Sequence, residues 1–197
     1  AFASAINSFT FLTGTEGWTA RRQGGNRMTG YNWENNASNA GADWYHNSDD
    51  FLASTMGLPA GEHDAAGRVM GAFHETCQAA GCYTYVTLQM AGYVAADKSG
   101  AVAAGEAAPS ARWKEVQPVK GSAFTLTPST ADGYVYMDEL VNFLVTTYGT
   151  AGSGAGIRAY ALDNEPALWP STHPRIHAAP PTCAELIAKS TALAAAV

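Results

Sequence analysis

Three kinds of residue are scarce in this 197-residue chain, and each scarcity removes a class of function. Basic side chains number eleven against seventeen acids, for a net charge of -6. No Lys/Arg cluster offers the basic face that phosphate neutralisation needs, which argues against nucleic acid as a partner. Long apolar runs are missing, and none approaches the ~20 residues of a membrane span. Cysteine occurs three times, as Cys77, Cys82 and Cys183, so one disulfide at most can form. Cys77 and Cys82 flank a turn at Gly81, and either a local bridge or two buried thiols fits that spacing. No intact signal peptide is present. The opening Ala-Phe-Ala-Ser-Ala fits either the remnant of a cleaved leader or a fragment edge.

Several catalytic motifs also fail. Gly152–Gly156 reads Gly-Ser-Gly-Ala-Gly, with the serine one place off a nucleophile elbow and no lysine following to make a phosphate loop. His74-Glu75 begins like a zinc protease motif, but Gln78 stands where the second histidine belongs.

What is present is a foldable chain. Hydrophobic residues make up 47%, enough for one domain with a sizeable core. From Trp18 to Ser54, Asn, Gly, Asp and aromatics predict a short strand and a long loop. Ala66, Val69, Met70, Phe73 and Cys77 recur at helical spacing and stop at Gly81. Cys82 to Gln89 is β-branched and aromatic, a buried strand. Residues 91–133 are poor in apolar anchors and predict an elaborate loop, with a small hairpin at Ala123 to Thr127. Leu140, Val141, Leu144, Val145 and Tyr148 mark a second helix closed by Gly149. Ile157 to Asp163 is the next strand. Thr182 and Glu185 form a capping box, followed by a stripe of Leu186, Ile187, Leu193 and Val197. The order strand, loop, helix, repeated, means βα units and a parallel sheet with long loops at the strands' carboxyl ends. The final stripe has no stop signal, so the chain is expected to be one piece of a larger domain.

At the end of the strand Ile157–Asp163 stand Asn164, Glu165 and Pro166. An acid there sits at the mouth of a barrel or crevice, where burial raises its pKa and suits it to protonate a glycosidic oxygen. Asn164 can donate to a sugar hydroxyl. Trp18, Trp33, Trp44, Trp113 and Trp169 offer flat faces for sugar rings. The plainer alternative is that Asp163 and Glu165 cap the next helix or pair with Arg158 or Arg175.

Two long stretches, RRQGGNRMTGYNWENNASNAGADWYHNSDD and YALDNEPALWPSTHPRIH, together resemble glycoside hydrolase family 44, a family of endo-β-1,4-glucanases and xyloglucanases. The resemblance runs from about residue 19 to 190. It implies a secreted, retaining enzyme on a (β/α)8 barrel, of which residues 1–197 would supply an incomplete portion, roughly strands 2–4 with their helices and long βα loops. By that resemblance Glu165 is the acid/base and Asn164 binds the hydroxyl beside the anomeric carbon. Arg22 orients the nucleophile, while Asn26, Tyr31, Asn32 and Trp33 line the cleft; Trp169, beside Glu165 in sequence, is a further substrate-binding candidate. Gln23 departs from the family's usual aromatic residue. The nucleophilic Glu of the family lies well beyond Glu165 and has no counterpart here, and retaining chemistry needs two carboxyls roughly 5–5.5 Å apart. The chain alone is therefore expected to be inactive, and its expected partners are a β-1,4-glucan or xyloglucan and the missing C-terminal part of the barrel. Alternatives are a non-catalytic β-glucan-binding relic and an assembly fragment needing that partner.

The reaction implies no required cofactor. Glu34, Asp43, Asp49 and Asp50 are oxygen donors that suit a structural Ca2+. His173, His177 and Cys183 could form a zinc corner, though a fourth ligand is not evident. Asn36-Ala37-Ser38 fits a glycosylation acceptor.

Overall fold

The computed structural model describes residues 19–197; Trp18 and the opening segment lie outside the described residues. Three parallel strands carry the fold: β1 (Ala20–Arg22), β4 (Tyr83–Leu88) and β9 (Ala159–Leu162). β4 is central, with Arg22 opposite Tyr85 on one side and Leu88 opposite Leu162 on the other. Each parallel step is made through a helix, α3 (Arg68–Ala79) between β1 and β4, and α4 (Met137–Tyr148) between β4 and β9. This is the βα alternation that the apolar periodicity predicts.

The predicted boundaries shift by a few residues, for local reasons. The helix expected from His63 starts at Arg68, because Gly67 adopts φ 67 and its amide donates to the Trp33 carbonyl at 2.7 Å. A side chain at Gly67 would collide with the Phe143 ring. Gly149 (φ 97) closes α4 as expected. The last helix, α6 (Cys183–Ala196), is capped by Thr182, whose hydroxyl accepts from the Glu185 amide at 3.1 Å. The reciprocal half of the box is missing, since Glu185 turns to His177 instead. Of its apolar stripe Leu193 is buried and Leu186 packs on the core, whereas Ile187 is 67% and Val197 43% exposed.

The two faces of the parallel sheet differ. On one, Gln23 donates to the Val69 carbonyl of α3, and Thr84 meets His74 of α3 at 2.9 Å. Val86 and Leu88 are fully buried. On the other, Arg22, Tyr83 and Tyr85 are exposed.

The long loops are more ordered than their composition predicts. The segment after β1 holds α1 (Asn26–Thr29), β2 (Ser38–Asn39), β3 (Asn47–Asp49) and α2 (Phe51–Thr55). The segment 91–133 holds β5 (Tyr93–Ala95), β6 (Gly100–Ala101) and β7 (Trp113–Gln117), and β8 (Tyr134–Tyr136) follows it. They build two small sheets, β2-β3-β6 and β5-β7-β8. The hairpin expected at Ala123 to Thr127 does not form. Thr125 instead donates its amide to Glu139 at 2.8 Å and the segment stays irregular.

Candidate active site

Arg22 is the last residue of β1, and Asp163, Asn164 and Glu165 follow β9 directly. A parallel sheet brings these two positions to the same edge, and hydrogen bonds join them. The Arg22 guanidinium donates to the Asn164 side-chain oxygen at 2.7 Å and reaches the Asp163 carbonyl at 3.4 Å. The Gly25 amide donates to the same Asn164 oxygen at 3.3 Å. The Asn164 amide nitrogen then donates to Glu165 Oε2 at 3.0 Å and lies 3.3 Å from Asn26 Oδ1. Asn26 in turn donates to Asp43 at 2.9 Å. Arg22, Asn26, Asn164 and Glu165 are thus one connected cluster.

Asp163 builds the floor beneath it. Its carboxylate accepts from Thr29 Oγ1 at 2.6 Å, the Met90 amide at 2.6 Å, the Ala91 amide at 2.8 Å and the Asn164 amide at 2.7 Å. One side chain therefore ties the end of β9 to α1 and to the loop after β4. Burial pushes this carboxyl above the usual range, opposed by the four donors. Both Asp163 (φ 56) and Glu165 (φ 45) are left-handed, a conformation that costs a non-glycine residue free energy and concentrates at functional sites. The double reversal turns Asp163 inward and leaves Glu165 exposed. The burial expected for Glu165 falls on Asp163. Among the described residues neither acid pairs with Arg158 or Arg175. Arg158 binds the Ala151 carbonyl and stacks on Tyr83, and Arg175 reaches the Val102 carbonyl. Glu165 occupies the cap position before Pro166 without a side-chain capping bond.

The profile of glycoside hydrolase family 44 matches residues 37–197. The chain belongs to glycoside hydrolase family 44. An endoglucanase A of Paenibacillus lautus is 58% identical over 186 residues, spanning 94% of this chain and 27% of its own length. A solved family 44 xyloglucanase of Paenibacillus polymyxa, with xyloglucan, superposes with TM-score 0.92 at 55% identity, over 94% of this chain and 36% of its own. A family 44 endoglucanase of Clostridium thermocellum gives TM-score 0.90 at 56% identity, over 91% and 35%. This chain thus spans about a third of the solved relatives' length.

Not every residue expected to bind substrate is where a ligand could touch it. Tyr31, Asn32, Trp33 and Trp169 are fully buried. Tyr31 donates its hydroxyl to Asn36, Asn32 donates to the Ala95 carbonyl, and Trp33 packs on Phe143. Trp169 lies against His177, with the Lys189 ammonium 5.7 Å from its ring. The three aromatics are core, for the ordinary reason that large aromatics contribute most by burial, and Asn32 is buried with its amide paired. Trp113 is buried as well. Trp44 is the exception at 60% exposure, and Tyr45 beside it is 75% exposed, edge-on at 5.3 Å. Trp44 follows Asp43, the partner of Asn26, so this aromatic pair is fastened to the Arg22–Asn26–Asn164–Glu165 cluster. Tyr45 was not singled out by the sequence. The signal was composition alone, an aromatic pair inside a Gly/Asp-rich loop.

The carboxylates expected to hold calcium are dispersed among protein partners. Glu34 is buried against the Lys114 ammonium at 2.5 Å, and burial pushes its pKa up to about 7 against the pull of Lys114. Asp49 pairs with Arg27 at 2.5 Å, Asp50 with His63 at 2.6 Å, and Asp43 accepts from Asn26. Among the described residues no three His, Cys, Asp or Glu side chains are grouped to hold a metal ion. The zinc corner fails likewise. His177 engages Glu185 and the Ala179 carbonyl through its two nitrogens, His173 is buried, and Cys183 is exposed. Asn36 cannot serve as a glycan acceptor, because it is buried and its amide donates to the His63 and Ala65 carbonyls.

Proposed function

We propose that this chain carries the acid/base half of a retaining endo-β-1,4-glucanase or xyloglucanase, with Glu165 protonating the glycosidic oxygen. The observation that carries this reading is the connected cluster Arg22–Asn164–Glu165 at the carboxyl ends of parallel strands, in a family 44 chain. Glu165 is exposed toward solvent, held by the Asn164 amide at 3.0 Å, so a bound glucan can reach it. Asn164 is fixed through its oxygen by Arg22 and Gly25, which fixes the direction in which its amide donates. Trp44 and Tyr45 supply the sugar-stacking faces.

A retaining reaction needs a second carboxylate on the opposite side of the bond, roughly 5–5.5 Å from the first. We assign that nucleophile, and the remaining strands of a (β/α)8 barrel, to the portion of the family's length that this chain does not span. Two carboxyls suffice for the chemistry, so the reaction is cofactor-free; any structural Ca2+ would have to displace the cation partners of Glu34 and Asp49. A polymeric glucan substrate places the work outside the cell.

The test is a hybrid in which residues 37–197 replace the matching segment of the Paenibacillus polymyxa xyloglucanase. The hybrid is expected to cleave xyloglucan with retention, and the 197-residue chain by itself to give no turnover. Glu165→Gln in the hybrid should lower kcat on xyloglucan by ~10³-fold, a typical loss for a general acid. It should lose far less on an aryl glycoside whose leaving group needs no proton, and azide should restore turnover. Wild-type kcat on xyloglucan in the variant would sink the assignment.

A further inference from the structure

The end of α3 is built as a Schellman motif. Gly81 takes the left-handed position (φ 70), its amide donates to the Gln78 carbonyl at 3.0 Å, and the Cys82 amide donates to the Cys77 carbonyl at 2.9 Å. Those are the two bonds that define the motif, and they place the side chain of the second residue past the cap against that of the third residue from the helix end. Ordinarily that contact is a pair of hydrophobes. Here both positions are cysteine. The two thiols share one small cluster with Phe73, and Met56 packs on it. Both are free, Cys77 fully buried and Cys82 at 3% exposure. The Arg21 guanidinium bears on the same spot. It is buried on the α3 side of β1 and among the described residues its nitrogens have no hydrogen-bond partner. Burial pushes the Cys77 thiol up, opposed in part by the Thr84 hydroxyl and the Arg21 charge.

We propose that Cys77 and Cys82 are an oxidisable pair, closing to a disulfide that staples the α3 C-terminus to the start of β4. A helix-ending motif that already holds two side chains in contact pre-pays the closure of a short loop. The oxidant is a low-molecular-weight disulfide of the kind found in secretory compartments. The Cys77 thiolate attacks one of its sulfurs and expels a thiolate. The Cys82 thiol then gives up its proton and, as the thiolate, attacks the Cys77 sulfur of the mixed disulfide and displaces the second small thiolate. The protein loses two hydrogens and two small thiols leave. Burial of the folded pair means that closure occurs during folding or on fraying of the last helical turn. Cys183, exposed on α6, is free and among the described residues forms no disulfide. This inference rests on the cap geometry and is independent of the glycosidase reading.

The test is peptide mapping of the chain produced by secretion into an oxidising compartment and alkylated at harvest. Trypsin releases residues 69–98, which contain both Cys77 and Cys82 and not Cys183. The peptide is expected two hydrogens lighter than its reduced form and unalkylated, while Cys183 is alkylated. Reductant should lower Tm by ~5 °C in the wild type and leave Tm unmoved in the Cys77→Ser/Cys82→Ser double variant. Full alkylation of both cysteines in the secreted protein, or a Tm insensitive to reductant, would overturn the proposal. A Cys183→Ser variant removes exchange with the exposed thiol and should leave the mapping result unchanged.

Discussion

At the scale of single residues, Asp163 does more structural work than its neighbour Glu165, though only the latter is assigned chemistry. Its two oxygens take four donors, three of them backbone amides. Asp163→Asn preserves shape but turns an oxygen into an NH2 group facing N–H donors. The Met90 and Ala91 amides share one oxygen, and the Thr29 hydroxyl and Asn164 amide share the other, so at least one backbone amide is left unsatisfied, at a cost of about 1–3 kcal/mol. The expected outcome is a lower denaturation midpoint and, in the hybrid enzyme, a fall in kcat as Asn164 and Glu165 lose their fixed direction. A variant with unchanged midpoint would show that the four bonds contribute nothing net. His173 gives a separate test through pH. It is buried, and burial pushes its pKa down to about 4, so the folded state resists the proton that the unfolded chain takes up near 6.5. Folded-state pKa is depressed, so its contribution is present above ~6.5 and is lost as pH falls toward 4. The loss amounts to ~3 kcal/mol at 1.36 kcal/mol per unit. Denaturant titrations from pH 7 to 4 should show that slope, and His173→Gln should flatten it.

At the scale of elements, the parts that obey a simple period were legible and the parts held by individual polar contacts were not. Helices α3 and α4 and strands β4 and β9 lie within a few residues of where apolar spacing puts them, because burial of one face dictates both the spacing and the element. The small sheets β2-β3-β6 and β5-β7-β8 escaped notice. Their strands are two to five residues long, too short for a period to show. Asn32, Asn39 and Lys114 anchor them through bonds to distant carbonyls, which no local pattern reveals. The burial of Tyr31, Trp33 and Trp169 was equally unreadable, since an aromatic residue in a polar loop can face either way. Within this region Gly41 is the tightest joint. It has φ +57, and an added Cβ would meet the Thr172 carbonyl and His173 Nε2. It presses the loop after β1 onto the short helix α5 (Trp169–Thr172) that follows Glu165. Gly41→Ala should cost ~2 kcal/mol or more from strain. It should also displace Trp44, read as a raised KM for xyloglucan in the hybrid before any loss of kcat. An unaltered KM would separate the aromatic pair from substrate binding.

At the scale of the whole molecule, the parallel sheet is covered on one face and open on the other. All four residues of β9 are only half-buried, and among the described residues its second edge pairs with no strand. Parallel sheets are stable when both faces are covered, and a free strand edge is a template for pairing with another chain. The exposed Ile187 on α6 and Val197 at its end, with Tyr83 and Tyr85 on the open face, add apolar surface that invites association. The matched relatives extend to about three times this length, so their additional chain is the natural cover. The 197-residue chain alone should therefore self-associate, its apparent size in gel filtration rising with concentration. Co-expression with the portion of the Paenibacillus polymyxa xyloglucanase that follows the matched segment should convert it to a one-to-one complex that turns over xyloglucan. A chain that stays monomeric at high concentration and ignores the complement would mean that β9 and the open face are already satisfied. The proposed acid/base cluster around Glu165 would then have no opposite wall on which to receive a nucleophile.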